Sequence, residues 1–216
     1  MPSVLIVGAS RGIGLGLAQQ YAGAGWDVYA TTRSAERDAL PLPDDVHVLT
    51  GLDVARGEDI SRFGRAIAPV ALDVVIHNAG VHERAHSVEY VMHVNARAPF
   101  NIVDVILPNL VRGQQRKLVL ISSQLGARRG RTGSLGVYGD SKAALNDTFR
   151  QRAPSWAAMG ITGIVLHPGW VRTDMGGSTA PVSVDASAAG IGRVVEDLTP
   201  AHAGTFRTWE GAEHPW

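Results

Sequence analysis

The strand, turn and helix at the start of the chain constrain its fold more than any other feature. Ser3–Val7 is a short apolar run typical of a buried strand, and residues 8–14 follow it with the pattern G-x-x-x-G-x-G. Helically spaced apolar residues come next. Exposed backbone N–H groups and the helix dipole face an anion in such a turn, and glycines let the backbone approach it closely. The segment predicts a phosphate site made by Gly8, Ser10, Arg11, Gly12, Ile13 and Gly14.

Apolar runs and helical patterns alternate along the rest of the chain. Further strands are predicted at 27–31, 46–50, 72–77, 117–122, 163–167 and 204–209, and helices at 57–67, 88–110, 138–159 and 186–198. This alternation indicates an α/β fold with a doubly wound parallel sheet of about seven strands and helices on both faces. No linker interrupts it, so we expect one domain, 1–216. Pro154 should kink or interrupt its helix.

Composition excludes several functional classes. The 20 basic residues balance the 20 acidic ones, so nothing favours nucleic acid or a membrane surface as a partner. The absence of cysteine excludes disulfides and thiol catalysis and fits a reducing compartment. The apolar start is too short and lacks the basic leader of a signal peptide, and no apolar run approaches the ~18 residues of a membrane span. We expect a cytoplasmic protein.

Tyr138 and Lys142 suggest the chemistry. Positions i and i+4 share one face of a helix, so the ammonium should lie beside the phenol. A phenol ordinarily has a pKa near ~10, and a fixed positive charge favours its ionised form and lowers that pKa. The pair therefore predicts a group that exchanges a proton with a carbonyl or alcohol oxygen.

Ordered motifs across the chain carry a family resemblance. They are residues 8–14, Asp53-Val54, Asn78-Ala79-Gly80, Val94-Asn95, Ile121-Ser122-Ser123, Tyr138 with Lys142, and residues 168–173. In this order they resemble the short-chain dehydrogenase/reductase family, of the small single-domain type with a Rossmann-type sheet. The tail, residues 204–216, resembles that of the C-factor-like and sniffer-like carbonyl reductases within the family.

The resemblance implies a catalytic role for four residues. Tyr138 would be the general acid/base that protonates the carbonyl oxygen as hydride reaches carbon. Lys142 would lower the pKa of Tyr138 and hold the nicotinamide ribose. Ser123 would donate a hydrogen bond to the developing oxyanion, and Asn95 would hold a water that links Lys142 to solvent.

The resemblance also implies the remaining cofactor contacts. Asn78, Ala79 and Gly80 would pack beside the adenosine ribose. The Asp53 carboxylate, next to Val54, would accept from the adenine amino group. In the segment after the sixth strand, Thr173 would fix the nicotinamide carboxamide, and Pro168, Gly169 and Val171 complete the predicted cofactor site.

The chain departs from the family pattern in two places. Ser123 precedes Tyr138 by fifteen residues (138 − 123), which is longer than usual, and the extra length is expected in residues 127–131. The adjacent Ser122 remains an alternative for the active hydroxyl. Asn78 and Asn95 are only seventeen residues apart (95 − 78), so the segment between them is short. His77 replaces the first Asn of the usual pair, which should change a structural contact and leave the chemistry intact.

Charge at the end of the second strand favours NADP(H) over the alternative, NAD(H). A cofactor without a 2′-phosphate requires an acid there to bind the ribose diol, and this chain has Thr31-Thr32-Arg33. Arg33 could instead pair with a 2′-phosphate, which a guanidinium matches well, and Arg11 could reach it from the glycine-rich turn.

Two other patterns have a simpler interpretation beside the functional one. Residues 82–86 spell H-E-x-x-H, the helix signature of zinc proteases, but they follow a strand end where a loop is expected, so no metal site is predicted. The basic run 128–131 is either a solvated loop or a wall of the active-site mouth that prefers an anionic or polar substrate. Residues 174–185 should form a short mobile lid.

The sequence therefore predicts an NADP-dependent oxidoreductase acting on a small ketone/aldehyde–alcohol pair. The alternative is a dinucleotide-binding regulatory or signalling protein whose catalytic activity is incidental. The resemblance suggests a homodimer or homotetramer built through helices 88–110 and 138–159.

Overall fold

The structure, a computed structural model, describes residues 1–36, 40–129 and 133–216. The strands are β1 (Ser3–Val7), β2 (Asp27–Thr31), β3 (His47–Leu49), β4 (Val74–His77), β5 (Lys117–Ile121), β6 (Thr162–His167) and β7 (Thr205–Thr208). The α-helices are α1 (Gly12–Gly23), α2 (Gly57–Ile67), α3 (Val88–Met92), α4 (Ala98–Arg112), α5 (Gly136–Ala158) and α6 (Val184–Glu196). A π-helical turn, His93–Arg97, joins α3 to α4.

All seven strands form one parallel sheet in the order β3-β2-β1-β4-β5-β6-β7. The winding direction reverses between β1 and β4, which are hydrogen-bonded neighbours. In sheets of this kind a crevice opens beyond the carboxyl ends of the strands at the reversal point. The glycine-rich turn after β1 and the segment after β4 therefore meet there.

Alternate residues of each central strand enter two separate cores, because successive side chains point to opposite faces of a sheet. Leu5 and Val7 of β1 pack toward α2, α4 and α5. Val4 and Ile6 of the same strand pack toward α1 and α6. Apolar residues therefore occupy positions 4–7 of β1 without a break, which is the pattern of a strand covered on both faces.

The predicted fold class is confirmed: the sheet is parallel, has seven strands and carries helices on both faces. Two helices differ in detail from the expectation. The predicted helix 88–110 is helical throughout but includes the π-helical turn, and α5 is not interrupted at Pro154. Pro154 is exposed, so water can bind the Arg150 carbonyl that the missing N–H leaves without its helical partner. Within the described ranges, no helix is long and apolar enough to cross a membrane.

Candidate active site

A cavity of about 470 Å³ lies at the carboxyl ends of the strands, where the winding reverses. It is large enough for a bound small molecule. Fifteen of the predicted site residues line it: Gly8, Ser10, Arg11, Gly12, Ile13, Arg33, Asp53, Val54, Asn78, Ala79, Gly80, Tyr138, Lys142, Pro168 and Thr173. The sheet thus brings together residues that are up to 165 positions apart (173 − 8).

The glycine-rich turn fits closely against its neighbours. Gly8 has φ +86°, and a Cβ there would lie 2.9 Å from the Cα of Ala79. A Cβ on Gly14 would meet the carbonyl oxygen of Gly8 and come within 2.6 Å of Asn78 Nδ2. Both positions therefore require glycine, and the backbone of the turn can approach a ligand closely. We call this turn the glycine cradle.

The amino end of α1 provides the electrostatics of an anion site. No side chain caps the helix at Arg11, and no acidic residue lies in its first turn. Backbone N–H groups at a helix start carry partial positive charge and bind phosphate well. Together with the glycine cradle, this end of the cavity fits the pyrophosphate of a dinucleotide.

Asn78 and Thr31 hold the turn in place. Asn78 Nδ2 donates to the Gly8 carbonyl oxygen at 2.9 Å, and the backbone N–H of Gly8 donates to Thr31 Oγ1 at 3.0 Å. These bonds connect the turn to β4 and β2. Asn78 thus has a structural contact with the turn in addition to its place on the cavity wall.

Tyr138 and Lys142 lie side by side at the other end of the cavity. Lys142 Nζ is 5.9 Å from the centroid of the Tyr138 ring and donates to the Ile121 carbonyl oxygen at 2.9 Å. Lys142 is only 3% exposed. The shared helical face predicted from the spacing is therefore present on α5, with the ammonium directed into the strand ends.

The net pKa of Tyr138 is raised in this structure, which is opposite to the direction expected from Lys142 alone. Although part of the Tyr138 side chain is accessible from the cavity, burial and the Glu83 carboxylate together raise its pKa to about 12, while contact with Ser123 opposes the rise. Burial also lowers the pKa of Lys142 to about 8, since the ammonium is removed from water. Both groups therefore favour their neutral forms more strongly than they do in solution.

The two candidate serines have different surroundings. Ser122 is among the residues that line the cavity and Ser123 is not, but the Oγ of Ser122 donates to Asn146 Oδ1 at 2.7 Å in the interior. Ser123 contacts Tyr138, and its Oγ accepts from the Leu125 backbone N–H at 3.1 Å. The hydroxyl beside Tyr138 is therefore that of Ser123.

Asn95 lies behind the cavity wall, in the π-helical turn. It exchanges two hydrogen bonds of 2.8 Å with the Val81 backbone, and its Nδ2 donates to Ser141 Oγ at 3.0 Å. Ser141 Oγ in turn donates to the Tyr138 carbonyl oxygen at 2.7 Å. Asn95 thus connects the segment after Gly80 to the first turns of α5. π-Helical turns often mark functional sites.

The arginines proposed for a 2′-phosphate differ in their partners. Arg11 Nη1 forms an exposed ion pair with Asp174 at 2.7 Å. Arg33 is exposed at the end of β2, and no ion pair to it occurs among the described residues. Asp53 lines the cavity near them, and its Oδ1 accepts from the Ala55 backbone N–H at 2.9 Å.

Three predicted cofactor residues lie behind the cavity wall and do not line it. Gly14 packs under the glycine-rich turn, Gly169 has φ +89° against Trp209, and Val171 is buried in a bridge to Val182. Each shapes the backbone that neighbouring residues present. Thr173 does line the cavity, and its Oγ1 accepts from the Gly176 backbone N–H at 3.1 Å.

The basic run and the H-E-x-x-H pattern take up local contacts. Arg128 pairs with Asp147 of α5 at 3.1 Å, and Arg129 Nη2 lies 2.9 Å from His214 Nε2. Neither arginine lines the cavity; Gly130 and Arg131 lie outside the described residues. Residues 83–85 form a 3-10 turn, so the pattern lacks the regular helix that the zinc signature needs.

Four wall residues received no role from the sequence: Leu52, Val81, His86 and Tyr90. Val94 and Arg172 also line the cavity and lie within the motifs that carried the resemblance, and Asp174, Met175 and Val184 lie in the segment 174–185 predicted as a lid. The rings of His86 and Tyr90 contact one another at a tilt of 31°, with centroids 4.8 Å apart. Four-residue spacing at the start of a predicted helix was the available signal for this pair.

The fold and the cavity are those of the Rossmann class of α/β proteins. The family model described as short chain dehydrogenase matches residues 2–182. C-signal of Myxococcus xanthus is 34% identical over 163 residues, covering 71% of this chain and 98% of that protein. The carbonyl reductase Sniffer of D. melanogaster has a TM-score of 0.88 at 27% identity, with 100% of both chains covered. A carbonyl reductase from Pseudomonas aeruginosa PAO1 in complex with NADP has a TM-score of 0.80 at 32% identity, again with 100% of both chains covered.

The chain therefore belongs to the short-chain dehydrogenase/reductase family and is an oxidoreductase of that family. The resemblance drawn from its ordered motifs is confirmed, including the similarity to C-signal and to Sniffer-type carbonyl reductases.

Proposed function

We propose that the protein transfers hydride between NADP(H) and a small ketone or aldehyde and its alcohol. The observation that carries the proposal is the pairing of Tyr138 and Lys142 at one end of a cavity whose other end is a glycine cradle. A nicotinamide group supplies the hydride when bound. The protein then has to bind the carbonyl oxygen and give it a proton.

In this proposal Tyr138 is the general acid for reduction and the general base for oxidation. Reduction adds hydride to the carbonyl carbon and the phenolic proton to the oxygen, and the phenolate regains its proton from solvent. Ser123 donates a hydrogen bond to the developing negative oxygen. The charged Lys142 favours phenolate formation during the cycle, because a nearby cation stabilises the anion.

The residues present fit a dinucleotide along the cavity. Gly8, Gly12 and the start of α1 would hold the pyrophosphate, and Asp53 with Val54 would bind the adenine end. Thr173 would fix the carboxamide, and Lys142 the adjacent ribose. NADP(H) is preferred because Arg33 is exposed at the end of β2, where an acid is absent. The NADP complex of the similar Pseudomonas reductase supports this choice.

A screen of carbonyls and alcohols with both cofactors tests the proposal. Reduced nicotinamide is followed by absorbance, and kcat/KM is compared for NADPH and NADH. The proposal predicts turnover of some members and a higher kcat/KM with NADPH. Absence of turnover across a broad panel, with the folded protein and either cofactor, would contradict it.

The second candidate is a dinucleotide-binding signalling protein whose catalytic activity is incidental. The similarity to a protein named C-signal favours it. Tyr138→Phe separates the two: as an enzyme, the variant binds NADPH and loses turnover. If the biological effect of the protein persists in Tyr138→Phe, the signalling function is supported instead.

Other sequence predictions concern the whole protein. We propose that residues 1–216 act as one domain, since a single sheet carries both ends of the cavity. Assembly into a homodimer or homotetramer stays a prediction that light scattering tests. The cytoplasmic location also stays a prediction.

A further inference from the structure

The segment between Gly80 and α3 places two unassigned polar side chains against Tyr138. The His82 ring is stacked on the Tyr138 ring, with centroids 5.2 Å apart and planes inclined by 14°. His82 Nδ1 lies 3.0 Å from Glu83 Oε2, and both atoms are shielded from solvent. The two atoms are within ion-pair distance, although they form no hydrogen bond in this arrangement.

We propose that His82 and Glu83 are a positioning pair for Tyr138: the imidazole orients the phenol, and the carboxylate charge tunes its proton exchange. The inference rests on the proposed function of Tyr138 as the acid/base. His82 and Glu83 are the first two residues of the H-E-x-x-H pattern. They had no assigned role once the zinc interpretation was rejected, and the inference gives them one.

Stacking accounts for the orienting role. Stacked aromatic pairs stabilise each other beyond the effect of their buried area, which favours one ring orientation. The contact to Glu83 restrains the imidazole in turn. The segment from Asn78 to Asn95 is short, and its 3-10 turn begins at Glu83, next to the stacked imidazole.

The charges around the phenol account for the tuning role. Lys142 lies beside the Tyr138 ring on the same helix, and the Glu83 carboxylate acts on the phenol from the turn after β4. A carboxylate disfavours ionisation of the phenol, and an imidazolium beside it would offset that effect.

The test compares Glu83→Gln, His82→Ala and His82→Phe with the wild type, using Glu89→Gln as the matched control. Glu89 is an exposed carboxylate on the neighbouring α3. The dependence of kcat on pH is measured for alcohol oxidation at saturating NADP⁺. In Glu83→Gln the alkaline rise of kcat should move to lower pH by about half a unit. The Glu89→Gln profile should match the wild type.

The histidine variants test orientation. His82→Ala should lose about tenfold in kcat with little change in KM for the cofactor, since misplacing a reacting group slows the chemical step. His82→Phe keeps an aromatic ring beside the phenol and should stay within about threefold of the wild type. Unchanged kcat in His82→Ala, or an unchanged pH profile in Glu83→Gln, would overturn the inference.

A readout without turnover keeps failure of this inference distinct from failure of the proposed function. The chain has 4 tyrosines, so ¹³C-labelled tyrosine gives few NMR signals, and Tyr138→Phe assigns the one in question. The Tyr138 ring signal should shift in His82→Ala, because the ring current is lost. Its alkaline titration should begin at lower pH in Glu83→Gln. If these shifts occur and no substrate turns over, the proposed function fails and the contact stands; if they are absent, the pair has no such role.

Discussion

Replacing Lys142 with Met should separate the stability of the fold from its chemistry. Lys142 is 3% exposed, and burial lowers the pKa of its ammonium from 10.5 to about 8. One pKa unit is equivalent to about 1.4 kcal/mol, so folding with the charged side chain costs about 3 kcal/mol. Methionine has a similar shape and no charge, and the variant avoids this cost. It leaves the Ile121 carbonyl oxygen without its donor, which costs about 1–3 kcal/mol at every pH.

The pH dependence of the free energy of unfolding separates the effect of the ammonium charge from that of the lost hydrogen bond. Below about pH 8 the ammonium of Lys142 is protonated in the folded and the unfolded protein, and the folded state bears the burial cost. Between that pH and 10.5 the folded protein releases the proton while the unfolded chain keeps it, so the wild-type free energy of unfolding rises with pH. Lys142→Met lacks this rise. Relative to the wild type, the variant should therefore lose about 3 kcal/mol of stability between pH 7 and pH 10.5.

Urea unfolding followed by tryptophan fluorescence at several pH values measures this difference. Lys117→Met is the control, because Lys117 at the start of β5 is less buried and lies near Glu196 and Asp197, which oppose the lowering of its pKa. Its relative stability should change less with pH. A stability difference between Lys142→Met and the wild type that stays constant within about 1 kcal/mol would refute the reasoning. Turnover should be lost in Lys142→Met at every pH.

Three further substitutions test the cavity. Arg33→Ala should lower kcat/KM with NADPH about tenfold or more and leave the value with NADH nearly unchanged, which steady-state kinetics measures; equal losses with both cofactors would contradict it. Gly14→Ala should destabilise the fold by about 1–3 kcal/mol and weaken cofactor binding, because its Cβ meets the Gly8 carbonyl; calorimetry and fluorescence titration measure both. Asn95→Ala removes three buried hydrogen bonds, including two to Val81, and should cost about 3 kcal/mol in urea unfolding; a loss below about 1 kcal/mol would show that the bonds are dispensable.

Local patterns in the sequence were sufficient to predict the fold. The bounds of β1, β2 and α2 were predicted to the residue, because each is set by an apolar run or an amphipathic pattern with clear ends. The place where the site residues meet also followed from the predicted parallel sheet, because the carboxyl ends of parallel strands lie at one edge. The π-helical turn at Asn95 could not be predicted in this way: a single helical pattern runs through it, and only the contacts to Val81 and Ser141 show why it forms.

Features of the site that depend on tertiary contacts could not be predicted from the sequence. The spacing of Tyr138 and Lys142 gave their proximity but not their burial, which reversed the expected direction of the Tyr138 pKa. The pairing of Arg11 with Asp174 joins residues 163 positions apart. The stacking of His82 on Tyr138 likewise depends on how a short segment turns over α5.

A crystal structure of the protein with bound NADP⁺ tests the central claim most directly. The account predicts the nicotinamide beside Tyr138, the Lys142 ammonium within hydrogen-bond reach of the adjoining ribose, and the pyrophosphate against Gly8 and Gly12. A dinucleotide bound elsewhere, or a complex in which the Tyr138 hydroxyl and Lys142 point away from the nicotinamide, would contradict it.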